Sequence, residues 1–152
     1  IMYIPTPIFI MIVVFIVVMF ILNKTKFGRG LYAIGGNAET ARLAGINVKR
    51  YLVMVYAIGG FLFGLAGMIL AGRLSMGTAT VGDGYELDAI ASVVIGGALL
   101  SGGKGSAVKT MVGAFLMGIL LNVMNLLGIA SYPQMVLKGI IIVVAVLANR
   151  ND

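Results

Sequence analysis

Five apolar stretches follow one another along the chain, each closed by a polar or glycine-rich segment. The first spans residues 6–22 (TPIFIMIVVFIVVMFIL) and ends at Asn23-Lys24; the second spans 51–72 and ends at Arg73. The third, 88–100 (DAIASVVIGGALL), is shorter and is broken by Gly96-Gly97. A fourth covers 107–127 and a fifth 134–148, the latter stopped by Asn149-Arg150. A hydrocarbon core takes about 20 apolar residues of helix, somewhat fewer where flanking side chains snorkel. The pattern predicts an all-α, polytopic transmembrane bundle of about five spans in one domain, residues 1–152. The third span is short and interrupted at its glycines, and residues 23–50 form a polar loop between the first two.

Composition strengthens that picture. The 152 residues are 61% hydrophobic and only 11% charged, too little charge to cover a soluble domain of this size. There is no cysteine and no histidine. Disulfides, thiolate metal sites, the usual zinc constellations and a serine–histidine triad are therefore excluded. The chain begins at Ile1, which suggests an N-terminally truncated fragment. Residues 8–22 make a poor signal peptide, with no basic region before them and no small-residue cleavage site after.

The net charge of +6 could suggest nucleic acid, but its placement points to loops at a membrane surface. Lys24, Lys26, Arg29, Arg42, Lys49 and Arg50 all lie between spans one and two. Lys104 and Lys109 follow the third run, and Arg150 follows the fifth. Asp83, Glu86 and Asp88 lie after span two, where Arg73 is the one basic residue. Basic residues collect on the cytoplasmic side, so residues 23–50, 101–106 and the C-terminus are expected to face inward. That alternation requires the third run to count as a crossing.

Small residues recur at helical spacing, with Gly60 and Gly64 forming a GxxxG in span two and Gly113, Ala114 and Gly118 in span four. Such residues let helix backbones approach closely in lipid. Gly96-Gly97 differs, because two adjacent glycines in a short span suggest a helix break, tolerable where backbone faces protein or water. Broken spans of this kind mark transport paths.

Between two spans sits "NAETARLAGINVKR", residues 37–50. Asn37 is a good N-cap, Glu39 suits the positive end of a helix, and Gly45 is a stop. The resulting helix, about two turns over 38–44, is too short to persist by propensity alone. Either it lies on its own membrane domain or it presses into a groove on a partner. Leu43 and Ile46 are apolar for a solvated loop, and Arg42 offers a forked donor to a partner carboxylate.

The stretch Glu39-Thr40-Ala41 with Gly45 resembles the E-A-A-x-x-x-G loop of bacterial ABC-importer permeases. The longer "GLYAIGGNAETARLAGINV" is similar to that loop in the ribose/galactose/xylose branch, and the resemblance continues through "GYELDAIASVVIGGALLSGGKGS" and "NLLGIASYPQMVLKGIIIVVAVL". Thr40 departs from the second alanine of the generic pattern, a small-for-small change. The resemblance covers about residues 29–148 and implies the C-terminal half of a permease in a bacterial inner membrane. It implies that Asn37, Glu39, Thr40, Ala41, Arg42, Leu43 and Gly45 form a cytoplasmic coupling helix docking on a separate ATPase. That ATPase would hold ATP and Mg, with no cofactor bound by this chain. The implied partners are a second permease copy in a homodimer, a periplasmic or lipid-anchored sugar-binding protein, and membrane lipid, but no nucleic acid.

Other stretches carry weaker signals. "GGALLSGGKGS" imitates a phosphate loop, but Lys104 comes one place late and Gly105 replaces the required Ser/Thr. A tight turn anchored by Lys104 is the better account. Glu86 and Asp88 are expected to cap the third helix, with contact to a binding protein as the functional alternative. The family likeness keeps Tyr85, Glu86 and Asp88 as a periplasmic corner. Asn122 and Asn125 share a face of span four, where they hydrogen-bond between helices or line a sugar route together with Gly96 and Gly97. Lys138 either snorkels outward or pairs inside the bundle.

The resemblance implies a monosaccharide importer permease, ribose-like, working by alternating access and catalysing no covalent chemistry. The alternatives are a related permease for autoinducer-2 or a branched-chain amino acid, or an ion-driven secondary transporter. The last would want carboxylates at mid-span, and the acidic residues cluster at one edge or in loops. A membrane-embedded enzyme lacks a catalytic set.

Overall fold

The computed structural model describes residues 5–77 and 81–149. Arg150 and the C-terminus, expected to face inward, lie outside the described residues. Among the described residues seven helices carry the regular structure: α1 (Thr6–Lys24), α2 (Lys26–Gly36), α3 (Ala38–Leu43), α4 (Val48–Leu74), α5 (Tyr85–Ile95), α6 (Ala107–Leu126) and α7 (Ser131–Asn149). Among the described residues, α1, α4, α6 and α7 are long and apolar enough to cross a membrane. The chain divides into two compact units, residues 1–81 and 82–152.

In the first unit, Pro7 in the opening turn suits the start of α1, where its missing N–H costs no hydrogen bond. Residues 23–50, expected as a loop holding one short helix, instead hold two. Thr25 is extended, and its Oγ1 donates to Ile21 O (2.6 Å) and accepts from Gly28 N (3.2 Å). One hydroxyl thus closes α1 and caps α2. Gly28 lies so close to the end of α1 that a Cβ would overlap Leu22 O. The α4 helix starts at Val48 rather than Tyr51, because Asn47 Oδ1 accepts from Arg50 N at 3.1 Å and caps it there. Its 27 residues extend about 40 Å.

The second unit is built around α5. This helix buries Ala91, Ser92 and Val94, and it packs on both α6 and α7. Its 11 residues extend only about 16 Å, less than a hydrocarbon core. Gly96 and Gly97 do not interrupt a continuing span. Gly96 is the C-cap of α5, its N–H donating to Ser92 O at 3.0 Å, and Gly97 has φ +76°. The chain then turns, with Leu99 N donating to Lys104 O at 3.1 Å and Gly102 N to Leu99 O at 3.0 Å. The tight turn expected at Lys104 is therefore present, and a helix, α5, rather than a strand precedes the phosphate-loop pattern.

Close backbone approach fixes the α5–α6 crossing. A Cβ on Gly113 would overlap Ser92 O, and one on Gly96 would stand 2.7 Å from Thr110 Cα. Gly113 thus acts as the packing residue its spacing suggests. At Gly60 and Gly64 a Cβ would meet nothing within 4 Å among the described residues, so their GxxxG makes no close approach there.

Candidate functional site

The two turns of α3 are held at both ends. Asn37 is extended, and its Oδ1 accepts from Thr40 N at 2.9 Å, the cap expected from its residue type. At the other end Gly45 N donates to Arg42 O and Ile46 N donates to Ala41 O, both at 3.0 Å. This double bond pattern is a Schellman closure, and it requires the left-handed φ of +84° that Gly45 adopts. Asn47 then restarts the chain as α4, so α3 is fixed between two capped helices.

Its side chains divide into two sets. Ala41 is buried against the rest of the unit. Glu39 and Arg42 face solvent as an i,i+3 ion pair, Arg42 Nη2 donating to Glu39 Oε1 at 2.8 Å. Leu43, the last residue of α3, is 80% exposed. Beside α3 lies a groove of about 570 Å³ lined by Arg42, Gly45, Ile46, Asn47, Val48, Lys49 and Leu52. An apolar lining rimmed by cations, next to an exposed leucine, is the shape of a protein-docking surface rather than of a catalytic pocket.

What holds this platform is α2, which the glycine-rich sequence hid. Phe27 stacks on Tyr51 with ring centroids 5.2 Å apart and planes 15° apart. A Cβ on Gly30 would overlap the Tyr51 ring. The start of α2 is thereby pinned to the start of α4. Amphipathic spacing of Phe27, Leu31 and Ile34 across 26–36 was the available signal.

In the second unit, Glu86 acts at the N-terminus of α5 as expected, its Oε2 accepting from Gly84 N at 3.1 Å. Asp88 does not cap. Its Oδ1 lies 2.6 Å from Lys138 Nζ, and the two side chains are 21% and 10% exposed. The contact is an ion pair, held by the attraction of the two charges. Lys138 therefore pairs inside the bundle. Asp88 is a partly buried acid in the first turn of α5. Tyr85, its corner neighbour, is exposed.

Asn125 sits in the last turn of α6 and accepts at Oδ1 from Gln134 Nε2 (2.9 Å), which also donates to Ile129 O at 2.8 Å. It ties the α6–α7 corner, a role that only Gln134 reveals. Asn122 is exposed one turn earlier. Among the described residues, no group of three or more acids gathers as a metal site.

Comparison with known proteins adds what geometry does not. The family described as "Branched-chain amino acid transport system / permease component" matches residues 1–146. The chain is 49% identical over 147 residues to the ribose import permease protein RbsC of Escherichia coli K12, covering 97% of this chain and 46% of that protein. It is 50% identical over 147 residues to RbsC of Bacillus subtilis 168, with the same coverage. The xylose transport system permease protein XylH of Escherichia coli K12 is 45% identical over 143 residues, 94% of this chain and 36% of XylH. The chain thus spans less than half the length of these relatives. No solved structure matches it.

Proposed function

This chain belongs to the family of branched-chain amino acid transport system permease components, and on that premise we propose that it serves in the permease subunit of an ATP-driven monosaccharide importer. The sugar, rather than an amino acid or autoinducer-2, is favoured by the ribose and xylose permeases that match along nearly the whole chain. The observation that carries the mechanism is α3: a two-turn helix, capped at both ends, braced by α2 and exposing Leu43 beside a cationic groove.

In this reading α3 faces the cytoplasm from the bacterial inner membrane and docks on a separate ATPase that holds ATP and Mg. Asn37 and Gly45 keep the helix formed, and Ala41 seats it. Thr40 receives the cap, while Glu39, Arg42 and Leu43 meet the partner. Movement of the ATPase then passes through α2 and Tyr51 to the span α4. A second permease copy and a sugar-binding protein complete the assembly, with Tyr85 on the side that meets the binding protein. Asn122 on α6 is the polar side chain assigned to the sugar route; Gly96, Gly97 and Asn125 shape the ends of the helices beside it. An ion-driven transporter would want a carboxylate at mid-span, whereas Asp88 lies in the first turn of α5, paired with Lys138.

The test is reconstitution of the full-length permease with its ATPase and uptake of labelled ribose, xylose and leucine. ATP-dependent pentose uptake is expected, lost in Glu39→Lys and Gly45→Asp together with ATPase co-purification. Leucine uptake without pentose uptake refutes the solute assignment. Retained association and transport in both variants refute the coupling assignment.

A further inference from the structure

Five cations lie where membrane helices end, and among the described residues no ion pair neutralises them. Lys24 lies in the last turn of α1, Lys26 and Arg29 in or next to the first turn of α2, and Lys49 and Arg50 in the first turn of α4. The Phe27–Tyr51 stack joins these segments, because Lys26 and Arg50 are the immediate chain neighbours of the two rings. The one acid before Asp83 is Glu39, and Arg42 already occupies it.

The placement is also locally unfavourable. Helix N-termini carry partial positive charge and favour acids, yet the first turns of α2 and α4 contain none and carry cations instead. A neighbouring anion would offset both the clustered charge and the two helix ends. Lys24 terminates an apolar helix of 19 residues and α4 begins a second membrane-length helix, so this anion must sit at the hydrocarbon boundary. That is the depth of lipid phosphates, and an amphipathic helix with aromatic anchors suits the same plane.

We propose that Lys24, Lys26, Arg29, Lys49 and Arg50, gathered around the Phe27–Tyr51 stack, form a binding site for the phosphate headgroup of an anionic phospholipid. The lipid bridges the ends of α1, α2 and α4 and braces the platform beneath α3. The partner is a lipid rather than an acidic protein because every cation lies next to a helix end at the membrane boundary; of the five, Lys49 also lines the groove beside α3, where the two surfaces meet.

The full-length permease is placed in nanodiscs of phosphatidylcholine, with or without phosphatidylglycerol. Bound lipid is read by native mass spectrometry and stability by thermal unfolding. Wild type retains phosphatidylglycerol over phosphatidylcholine, and each neutralised cation lowers that preference about fivefold. Lys24→Gln/Lys26→Gln/Arg29→Gln loses the preference, and Lys26→Arg keeps it. Should the triple variant not fold, Lys49→Gln/Arg50→Gln tests the same site from α4. An unchanged preference in the glutamine variants overturns the proposal. Equal stabilisation by inorganic phosphate in pure phosphatidylcholine discs also overturns it, assigning the site to a soluble anion. Loss of ATPase association with lipid preference intact overturns it too, assigning the cations to a protein partner.

Discussion

Lys138 Nζ stands 2.6 Å from Asp88 Oδ1, tying the middle of α7 to the first turn of α5. The helix α5 is too short to cross a membrane by itself, and it packs on α6 and α7. Its N-terminal end carries Asp88, an acid whose burial alone would be unfavourable. The lysine supplies the opposite charge from a helix that is otherwise apolar around it. Two residues that are each expensive in a bundle thus become tolerable together, and their pairing selects which face of α7 meets α5.

Removing either member leaves an uncompensated charge. Asp88→Asn or Lys138→Met is expected to destabilise the full-length permease by roughly 3–5 kcal/mol, read from thermal unfolding in detergent. The double variant Asp88→Asn/Lys138→Met should recover most of that loss. Additive losses in the double variant would show that the residues act separately.

The α5–α6 contact has no room for a methyl group. Gly113→Ala places a Cβ into Ser92 O, and Gly96→Ala places one against the backbone of Thr110. Each should cost about 1–3 kcal/mol by overpacking. Gly118→Ala on the same helix α6 meets nothing within 4 Å in this chain and is the control. Unfolding midpoints for the three variants check the order, with Gly118→Ala close to wild type.

At the end of α3, Gly45 holds a left-handed φ of +84°. Gly45→Ala should cost roughly 1–2 kcal/mol there, and Gly45→Asn less, since asparagine visits this region more readily. Asn37→Ala removes the cap on Thr40 N and should cost about 1 kcal/mol. Protease sensitivity of residues 37–47 is expected to rise in the order Asn, then Ala at position 45.

The Glu39–Arg42 pair separates stability from partner contact. Both side chains are largely exposed, 67% and 70%, so Glu39→Gln should change stability by less than about 1 kcal/mol. Glu39→Lys should nonetheless lose ATPase co-purification while the unfolding midpoint stays near wild type. A midpoint that falls in step with association would make the pair structural.

Tyr51 is the hinge between α2 and α4 in the proposed coupling route. Tyr51→Ala removes the stack on Phe27, worth about 0.5–1.5 kcal/mol beyond burial. Transport should fall while ATPase association persists, because α3 keeps its own caps. ATP hydrolysis uncoupled from uptake is the expected signature in reconstituted vesicles.

The sequence by itself settled what depends on local chemistry. Long uncharged runs have no stable home outside lipid, so α1, α4, α6 and α7 were legible as membrane helices. The caps of α3 were legible too, because Asn37 and Gly45 act on backbone groups three to five residues away. Tertiary structure decided what depends on residues distant in the chain. Gly28 and Gly30 read as loop until the end of α1 and the Tyr51 ring are seen against them, and then α2 appears as a packed helix. Gly96-Gly97 read as a break until α6 is seen to fill the space beside Gly96. Asp88 read as a cap because Lys138 is 50 positions away, and a charge finds its counter-charge through space rather than along the chain.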